Sequence, residues 1–388
     1  MPTLIRLNFE RFVMSNAIAE VVVDLPLDGP FDYRVPRQMQ AAVGPGHRVG
    51  IMFGRRKMIG FVVGVKRASE IDQLSEIQSV LDDHPVFDRV HLDWMRWLAS
   101  YYGCSLGEAL AVSLPNELRR KKVLRPGPLP ERPEIADQHK PGLVMDDDGT
   151  ARWEALIPAV RSALSTGSVL ILVPEIRMSR TVISQLSGLN PLVHHWDPGG
   201  SEKAKTDQWL RIRQSLKTVV IGTRAAMFLP VMDVSLIIVC EEDHDFFKEE
   251  QKPFYHVRDA VLAYARLTGV RVIFTSSAPS VEVRAIARRQ KWMVAFQGEP
   301  SRVKIHRVDM TNYPPKVRMG LSQPARTAIE SALERSEKVL LVFNRRGYHT
   351  LTQCGECGRH VVCDRCDVPM IYTMESKTLY CRHCGFKR

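Results

Sequence analysis

Leu236-Ile237-Ile238-Val239-Cys240-Glu241-Glu242-Asp243 decides the fold: four aliphatic residues in a row, then acids at once. A short run that is apolar at every position has the pattern of a strand buried on both faces of a parallel sheet. Three other stretches repeat it. Residues 168–173 end at Pro174, residues 218–221 end in Gly222-Thr223-Arg224, and residues 270–274 end in Thr275-Ser276-Ser277. Leu143-Val144-Met145 reads as an earlier strand and residues 339–343 as a later one, which Asn344-Arg345-Arg346-Gly347 follows. Helical stretches at 153–164 and 257–268 lie between strands. Strands alternating with helices predict an α/β lobe with a doubly wound parallel sheet, and polar residues gather just after the strands, where such sheets bind ligands.

Upstream the pattern changes. Residues 18–66 hold short β-branched runs, Val21-Val22-Val23 and 59–65, and an alternating Val49, Ile51, Phe53, with turn signals at Gly29-Pro30 and Gly44-Pro45-Gly46. This predicts a small β-rich domain, a barrel or an open sheet. Residues 88–103 read as a helix with Val90, Trp94, Trp97 and Leu98 on one face. Between the two parts, the basic run Arg119-Arg120-Lys121-Lys122 leads into Pro126, Pro128, Pro130, Pro133 and Pro141, a linker over 119–142. The full chain of 388 residues carries a net charge of +11, which fits either an acidic polymer as partner or a merely soluble basic surface. No apolar run reaches membrane-spanning length and the start lacks an apolar leader, so the chain reads as cytoplasmic.

Six of the eight cysteines crowd into 354–384; Cys104 and Cys240 stand alone. Cys354-x-x-Cys357, Cys363-x-x-Cys366 and Cys381-x-x-Cys384 are three pairs, each able to supply half of a tetrahedral thiolate site. Soft thiolates in a reducing compartment favour zinc, with iron–sulfur as the other option. Three pairs make one and a half sites. Basic residues around them, Arg359, Arg365, Lys377, Arg382, Lys387 and Arg388, could touch phosphates or form a solvated rim.

A nucleotide-binding lobe should follow its first strand with a glycine-rich loop and Gly-Lys-Ser/Thr. The chain has no Gly-Lys dipeptide, and no lysine from Pro141 to Glu202. After Leu143-Val144-Met145 come Asp146, Asp147, Asp148, Gly149 and Thr150, which repel a triphosphate. Arg152 is the nearest cation that could substitute. The acid expected after 236–239 to hold magnesium is Cys240, a poor ligand for a hard cation, unless a one-residue slip brings in Glu241 or Glu242.

These stretches together resemble the PriA family of primosomal helicases of superfamily 2, over about Ala17 to Arg388. Phe31-Asp32-Tyr33 with Phe53-Gly54 resembles the domain that holds the 3′ end of a nascent strand, and Tyr101-Tyr102 and Leu106-Gly107-Glu108 continue it. Leu172-Val173-Pro174-Glu175-Ile176 resembles helicase motif Ia, and Ile221-Gly222-Thr223-Arg224-Ala225-Ala226-Met227-Phe228 resembles motif Ib. Tyr255-His256-Val257-Arg258-Asp259, Ser276-Ser277-Ala278-Pro279-Ser280 and Val342-Phe343-Asn344-Arg345-Arg346-Gly347-Tyr348 also match.

The resemblance implies a 3′-DNA-end-binding domain at 17–118, a degenerate RecA-like helicase lobe at 143–310, the start of a second lobe at 311–350 and an incomplete zinc-binding module at 351–388. It implies DNA contacts from Phe31, Asp32, Tyr33, Gly54 and Arg224, with Phe31 and Tyr33 stacking a terminal base and Asp32 accepting from a sugar hydroxyl; core packing is the other reading of the two aromatics. It implies two zinc ions. The inner is held by Cys363, Cys366, Cys381 and Cys384, the outer by Cys354, Cys357 and a later pair. The departures are as specific: no phosphate loop at Asp146, Asp147 and Asp148, Cys240-Glu241-Glu242-Asp243 in place of Asp-Glu-x-His, no room for a winged-helix segment, and no second lobe past Arg388.

The expected function is therefore a DNA-binding primosomal protein without ATP as cofactor. It would recognise stalled or branched forks and single-stranded DNA and recruit primosome or helicase-loader proteins. The other reading is an active ATP-dependent 3′–5′ DNA helicase with an unusual phosphate loop.

Overall fold

The β-branched runs near the start pair with one another. In the computed structural model, which describes residues 17–120, 125–128, 139–147, 149–197, 199–297, 304–310, 313, 321–342, 352, 357, 359–365, 369–373, 377–381 and 384–388, they form an open antiparallel sheet. Its strands are β1 (Ile18–Val23), β2 (Phe31–Arg34), β3 (Arg48–Phe53), β4 (Arg56–Lys66) and β5 (Ser79–Val80), in the order β2-β1-β4-β3-β5. Side chains alternate across it: Val21, Val49, Ile51 and Val62 face one core, while Val22, Ile59, Phe61 and Val63 face another. Helix α1 (Arg89–Tyr102) starts at the Asp88 cap and stops at left-handed Gly103, and α2 (Leu106–Ala111) starts at a Ser105/Glu108 capping box. A short α3 (Asn116–Arg119) follows. Arg48, with no exposed surface, pairs with the equally buried Asp82 and donates to the Leu118 carbonyl, tying β3 to α3.

The second half of the expectation holds as well. Seven parallel strands form one sheet: β6 (Gly142–Asp146), β7 (Ser168–Leu172), β8 (Val193–His195), β9 (Val219–Gly222), β10 (Val234–Cys240), β11 (Arg271–Ser276) and β12 (Met293–Gln297), in the order β12-β6-β11-β10-β7-β9-β8. Helices α4 (Arg152–Thr166) and α5 (Met178–Leu186) cover one face; α7 (Val257–Thr268) and α8 (Val281–Gln290) cover the other, with α6 (Glu202–Gln214) packing there through Trp209. The apolar strands divide their residues between these faces. Leu170, Leu172, Ile237, Val239 and Phe274 point one way, and Val169, Ile171, Leu236, Ile238 and Ile273 the other. That is why the runs lack alternation in sequence.

The two parts share one core within the compact unit of residues 1–301. Trp94 on α1 donates to the Ala260 carbonyl at 2.9 Å, and Trp209 on α6 donates to the Ser113 carbonyl at 3.2 Å. Buried Arg213 donates to the carbonyls of Pro85 (2.7 Å), Val86 (3.1 Å) and Pro126 (3.3 Å). Of the proline-rich stretch, 121–124 and 129–138 lie outside the described residues.

Residues 302–388 form a second unit. It contains α9 (Gln323–Glu334) and a hairpin of β13 (Ile371–Thr373) and β14 (Thr378–Tyr380). The strand expected from 339 is not formed at the described residues: Leu340 and Val342 are more than 80% exposed and pair with no strand. An apolar run becomes a strand only against a partner, and the described residues of this unit offer none to it. No helix among the described residues is long and apolar enough to cross a membrane.

Helix α2 sits so close to β1 that a Cβ on Gly107 would stand 1.7 Å from the Val23 carbonyl oxygen. Gly107→Ala is expected to cost about 1–3 kcal/mol and lower the urea midpoint, whereas Gly188→Ala, with open space around it, should leave the midpoint unchanged.

Candidate functional site

The strand order β2-β1-β4 brings three residues together at one edge of the N-terminal sheet. Asp32 on β2 lies 2.8 Å from Lys66 Nζ at the end of β4 and accepts from the Ser69 hydroxyl; both use Oδ2. Glu20 on β1 also approaches Lys66, at 3.4 Å. Burial alone would raise the Asp32 pKa, but the hydrogen bonds from Lys66 and Ser69 outweigh it and hold the carboxyl below its ordinary value. Asp32, Lys66 and Ser69 line a cleft of about 690 Å³ with Phe31 on its wall. Phe31 is half-buried and meets the edge of the Phe53 ring at 5.0 Å. Tyr33 also borders the cleft, but it is 5% exposed and donates its hydroxyl to the Met52 carbonyl at 2.9 Å, so it forms a floor anchored in the core. Gly54, with φ +57°, makes the β3–β4 turn beside Phe53, outside the cleft lining. Lys66 and Ser69 escaped the sequence reading because β4 had to be registered against β1 before either could be placed.

The carboxyl ends of β6, β10 and β11 meet at a second location. There the sheet places Asp146, Arg152 and Glu241 together. The backbone N–H of Arg152, the first residue of α4, donates to Asp146 Oδ2 at 3.0 Å. The Arg152 guanidinium donates to Asp146 Oδ1 (Nε, 2.8 Å), Thr275 (3.0 Å) and Ser277 (2.9 Å), and pairs with Glu241 at 2.9 Å. A helix N-terminus after a strand ordinarily offers its N–H groups to a phosphate. Here the strand's own carboxylate occupies that place. Burial would lift the Asp146 pKa, but the Arg152 hydrogen bonds outweigh it and keep the carboxyl below its usual value. Asp146 and Arg152 are 0% and 2% exposed as side chains. Asp148 lies outside the described residues.

The other acids after β10 are engaged as well. Cys240 is fully buried and burial pushes its thiol up to about 12. Glu241 takes up a left-handed backbone, φ +50°, to reach Arg152, and burial raises its carboxyl pKa. Glu242 accepts from the Ser280 N–H (2.6 Å) and hydroxyl (2.8 Å) at the start of α8, and Asp243 accepts from the Ser276 hydroxyl. His244 approaches Glu175 at 3.7 Å. Arg224, after β9, pairs with Glu249 at 2.8 Å and remains partly exposed.

In the second unit, the Sγ atoms of Cys363, Cys381 and Cys384 lie within 4.8 Å of one another, with Cys363 and Cys384 at 3.5 Å. Thiolates about 2.3 Å from one tetrahedral zinc stand roughly 3.8 Å apart, so the three fit a shared ion. Gly385 in the left-handed region (φ +70°) turns the chain so that its N–H reaches the Cys381 carbonyl at 3.0 Å, the tight loop such a pair requires. Cys363 and Cys381 are buried with Met370 under Phe386, which shields the sulfurs from water. Cys357 is exposed; Cys354 and Cys366 lie outside the described residues.

Residues 20–115 match the 3′DNA-binding domain (3′BD) model of PriA. The replication restart protein PriA of Treponema pallidum is 28% identical over 94% of this chain and 60% of its own length. That of Rickettsia conorii is 26% identical over 95% and 60%. The chain thus spans about 60% of the length of these curated relatives. Among solved structures, the Hef helicase domain of Pyrococcus furiosus matches 42% of the chain and 36% of its own, at 16% identity and a TM-score of 0.32. A 3′DNA-binding type of domain sharing its core with a doubly wound parallel-sheet lobe defines the class. Within that class, the chain is similar along about 95% of its length to proteins named replication restart protein PriA.

Arg152→Met should strand two carboxylates in the sheet end and cost about 3–5 kcal/mol at neutral pH. The native Asp146–Arg152 pair stabilises above the unfolded carboxylate pKa and loses its contribution as pH falls through the lower folded value. The variant's deficit should therefore shrink as pH drops below about 4, measured by urea unfolding across pH. Metal analysis of the purified chain should find at least one zinc, lost in Cys381→Ser or Cys384→Ser.

Proposed function

We propose that this chain is a replication restart protein that recognises branched DNA presenting a free 3′ end, recruits other restart proteins through its cysteine module, and does so without hydrolysing ATP. The observation that carries the reading is Arg152. In an ATP-binding lobe, the end of the β6 strand and the start of the next helix receive the triphosphate, and a lysine neutralises it. Here Asp146 takes the helix N–H and Arg152 is saturated by Asp146, Glu241, Thr275 and Ser277. A nucleotide would have to break this buried network and face Asp146, Asp147 and Glu241 with no lysine in compensation. Cys240 stands where an oxygen ligand for magnesium is needed, and Glu242 is already spent on Ser280.

The cleft at Asp32 supports the DNA half of the reading. Its carboxylate is ionised and fixed by Lys66 and Ser69 through Oδ2, which leaves Oδ1 to accept from a terminal 3′ hydroxyl. Phe31 offers a ring for the last base, and Lys66 a cation for its phosphate. Cys363, Cys381 and Cys384, completed by Cys366, would hold a zinc ion that stiffens the module for docking.

The purified chain should show no DNA-stimulated ATP hydrolysis above background; robust turnover would mean instead that it is an ATP-dependent helicase. In fluorescence anisotropy it should prefer a fork with an unblocked 3′ end to plain duplex. Phe31→Ala and Asp32→Ala should each abolish that preference and leave general DNA affinity within a few-fold. Equal binding of all forms by the native chain would refute the assignment of the cleft.

A further inference from the structure

The β3–β4 hairpin carries the sequence Phe53-Gly54-Arg55-Arg56-Lys57 around its turn, and Gly54 through Lys57 are all exposed. Gly54 in the left-handed region makes a two-residue turn, so Arg55 stands at the tip. The register pairs Phe53 with Arg56 and Met52 with Lys57. Directly paired residues share a face, and neighbours along a strand point to opposite faces. Arg56 therefore lies on the side of Phe53, whose ring touches Phe31 on the wall of the 3′-end cleft. Lys57 lies on the other side, where it lines a separate groove of about 360 Å³ with Asp24, Arg119 and Arg120.

Charge pairing divides the cations of this domain. Lys66, Arg34, Arg48 and Arg96 each pair with a carboxylate. Among the described residues, Arg55, Arg56, Lys57 and Arg120 have no such pair. Arg119 is anchored by its Nε on the Leu114 carbonyl at 3.1 Å, and its Nη1 is 3.9 Å from Asp24, the one acid lining the groove. Three cations against one acid leave the groove positive. Three successive cations at a turn repel one another, and an anion bound from outside relieves that.

Taking the DNA reading above as its basis, we propose that this hairpin is a basic wedge at the branch point of the DNA. On one face, Arg56 holds phosphates of the strand whose 3′ end enters the cleft. On the other, Lys57, Arg119 and Arg120 hold phosphates of a second, duplex arm. The partner on both faces is the sugar–phosphate backbone, so the wedge sets orientation and carries no sequence preference.

The test uses the full chain and three labelled DNAs: a fork with an unblocked 3′ end, a duplex, and a 3′-ended single strand, titrated at several salt concentrations. Lys57→Ser/Arg120→Ser should lower the slope of log affinity against log salt on fork and duplex, by about 0.9 for each phosphate that is no longer neutralised, and leave the single-strand slope unchanged. Arg56→Ser should lower the slope on the single strand and the fork. Both variants should keep the native preference for an unblocked over a blocked 3′ end, and native unfolding midpoints. Unchanged slopes in Arg55→Ser/Arg56→Ser/Lys57→Ser with a native midpoint would overturn the wedge. So would a vanished 3′-end preference with the slopes intact, which would place the hairpin in the cleft alone. If the native chain binds no DNA, the functional reading falls with the wedge; if it binds with 3′-end preference and the variants match it, only the wedge falls.

Discussion

The buried contact between Arg152, Asp146 and Glu241 is the constraint on which the parallel-sheet lobe depends. Three loops leave the carboxyl ends of β6, β10 and β11, and the acids of the first two, Asp146 and Glu241, would lie uncompensated without the guanidinium between them. Arg152 meets them all with a planar set of donors, something a lysine could not do at the same place. Its backbone N–H takes Asp146 as well, so one residue both starts α4 and closes the strand end. In a lobe that cycles, nucleotide and metal connect these loops and release them on turnover. A covalently attached cation cannot leave. Hydrogen bonds extend this network through Glu242 to α8, and through Asp243 to the end of β11.

A second buried set of hydrogen bonds marks the joint between the two parts of residues 1–301. Arg213 has backbone carbonyls for partners, and burial depresses its pKa to about 10 because they offset only part of the lost hydration. That expense is consistent with a joint that must not open. Tyr102 adds a further tie: its hydroxyl donates to Asp259 (3.2 Å) and accepts from the His256 N–H (2.9 Å). The cleft at Asp32 and the strand ends at Asp146 thus belong to one body with a fixed geometry.

Much of this was legible in the sequence. The central strands β7, β9, β10 and β11 announce themselves because burial on both faces demands an unbroken apolar run, and α1, α4 and α7 because one face alone is buried. The edge strands β8 and β12 do not. His194 and His195 are polar because an edge is half wet, and Met293, Val294 and Phe296 remain largely exposed. The cysteine pairs could be read from spacing, since their geometry is local. Asp146 could be read as the wrong residue for a phosphate, but not as the partner of Arg152: six residues apart across a strand–helix turn, their contact depends on a backbone path that spacing does not encode. Lys66 is the same case over a longer separation, visible only once β4 is aligned beside β1. At 339–342 the opposite error arises, because an apolar run states a preference for a strand and says nothing about whether a neighbour exists.

If the chain binds forks without hydrolysing ATP, as proposed, its selectivity has to come from shape. Recognition by a rigid body is efficient for that, because little conformational freedom is lost when the complex forms and the cost falls mainly on the DNA. On that reading, a fixed distance between the cleft at Asp32 and the positive surface on the far side of the hairpin would favour DNA whose strands already diverge, since an unbranched duplex could satisfy only one face. A mobile joint would let the two faces bind separate molecules and lose the discrimination. On this reading the buried arginines at 48, 152 and 213 serve DNA recognition indirectly: each removes a degree of freedom between the surfaces that touch it. The electrostatic attraction that brings the polyanion in is long-ranged and salt-sensitive, while the geometry that selects a branch is short-ranged and is not. Affinity and selectivity should therefore be separable by ionic strength.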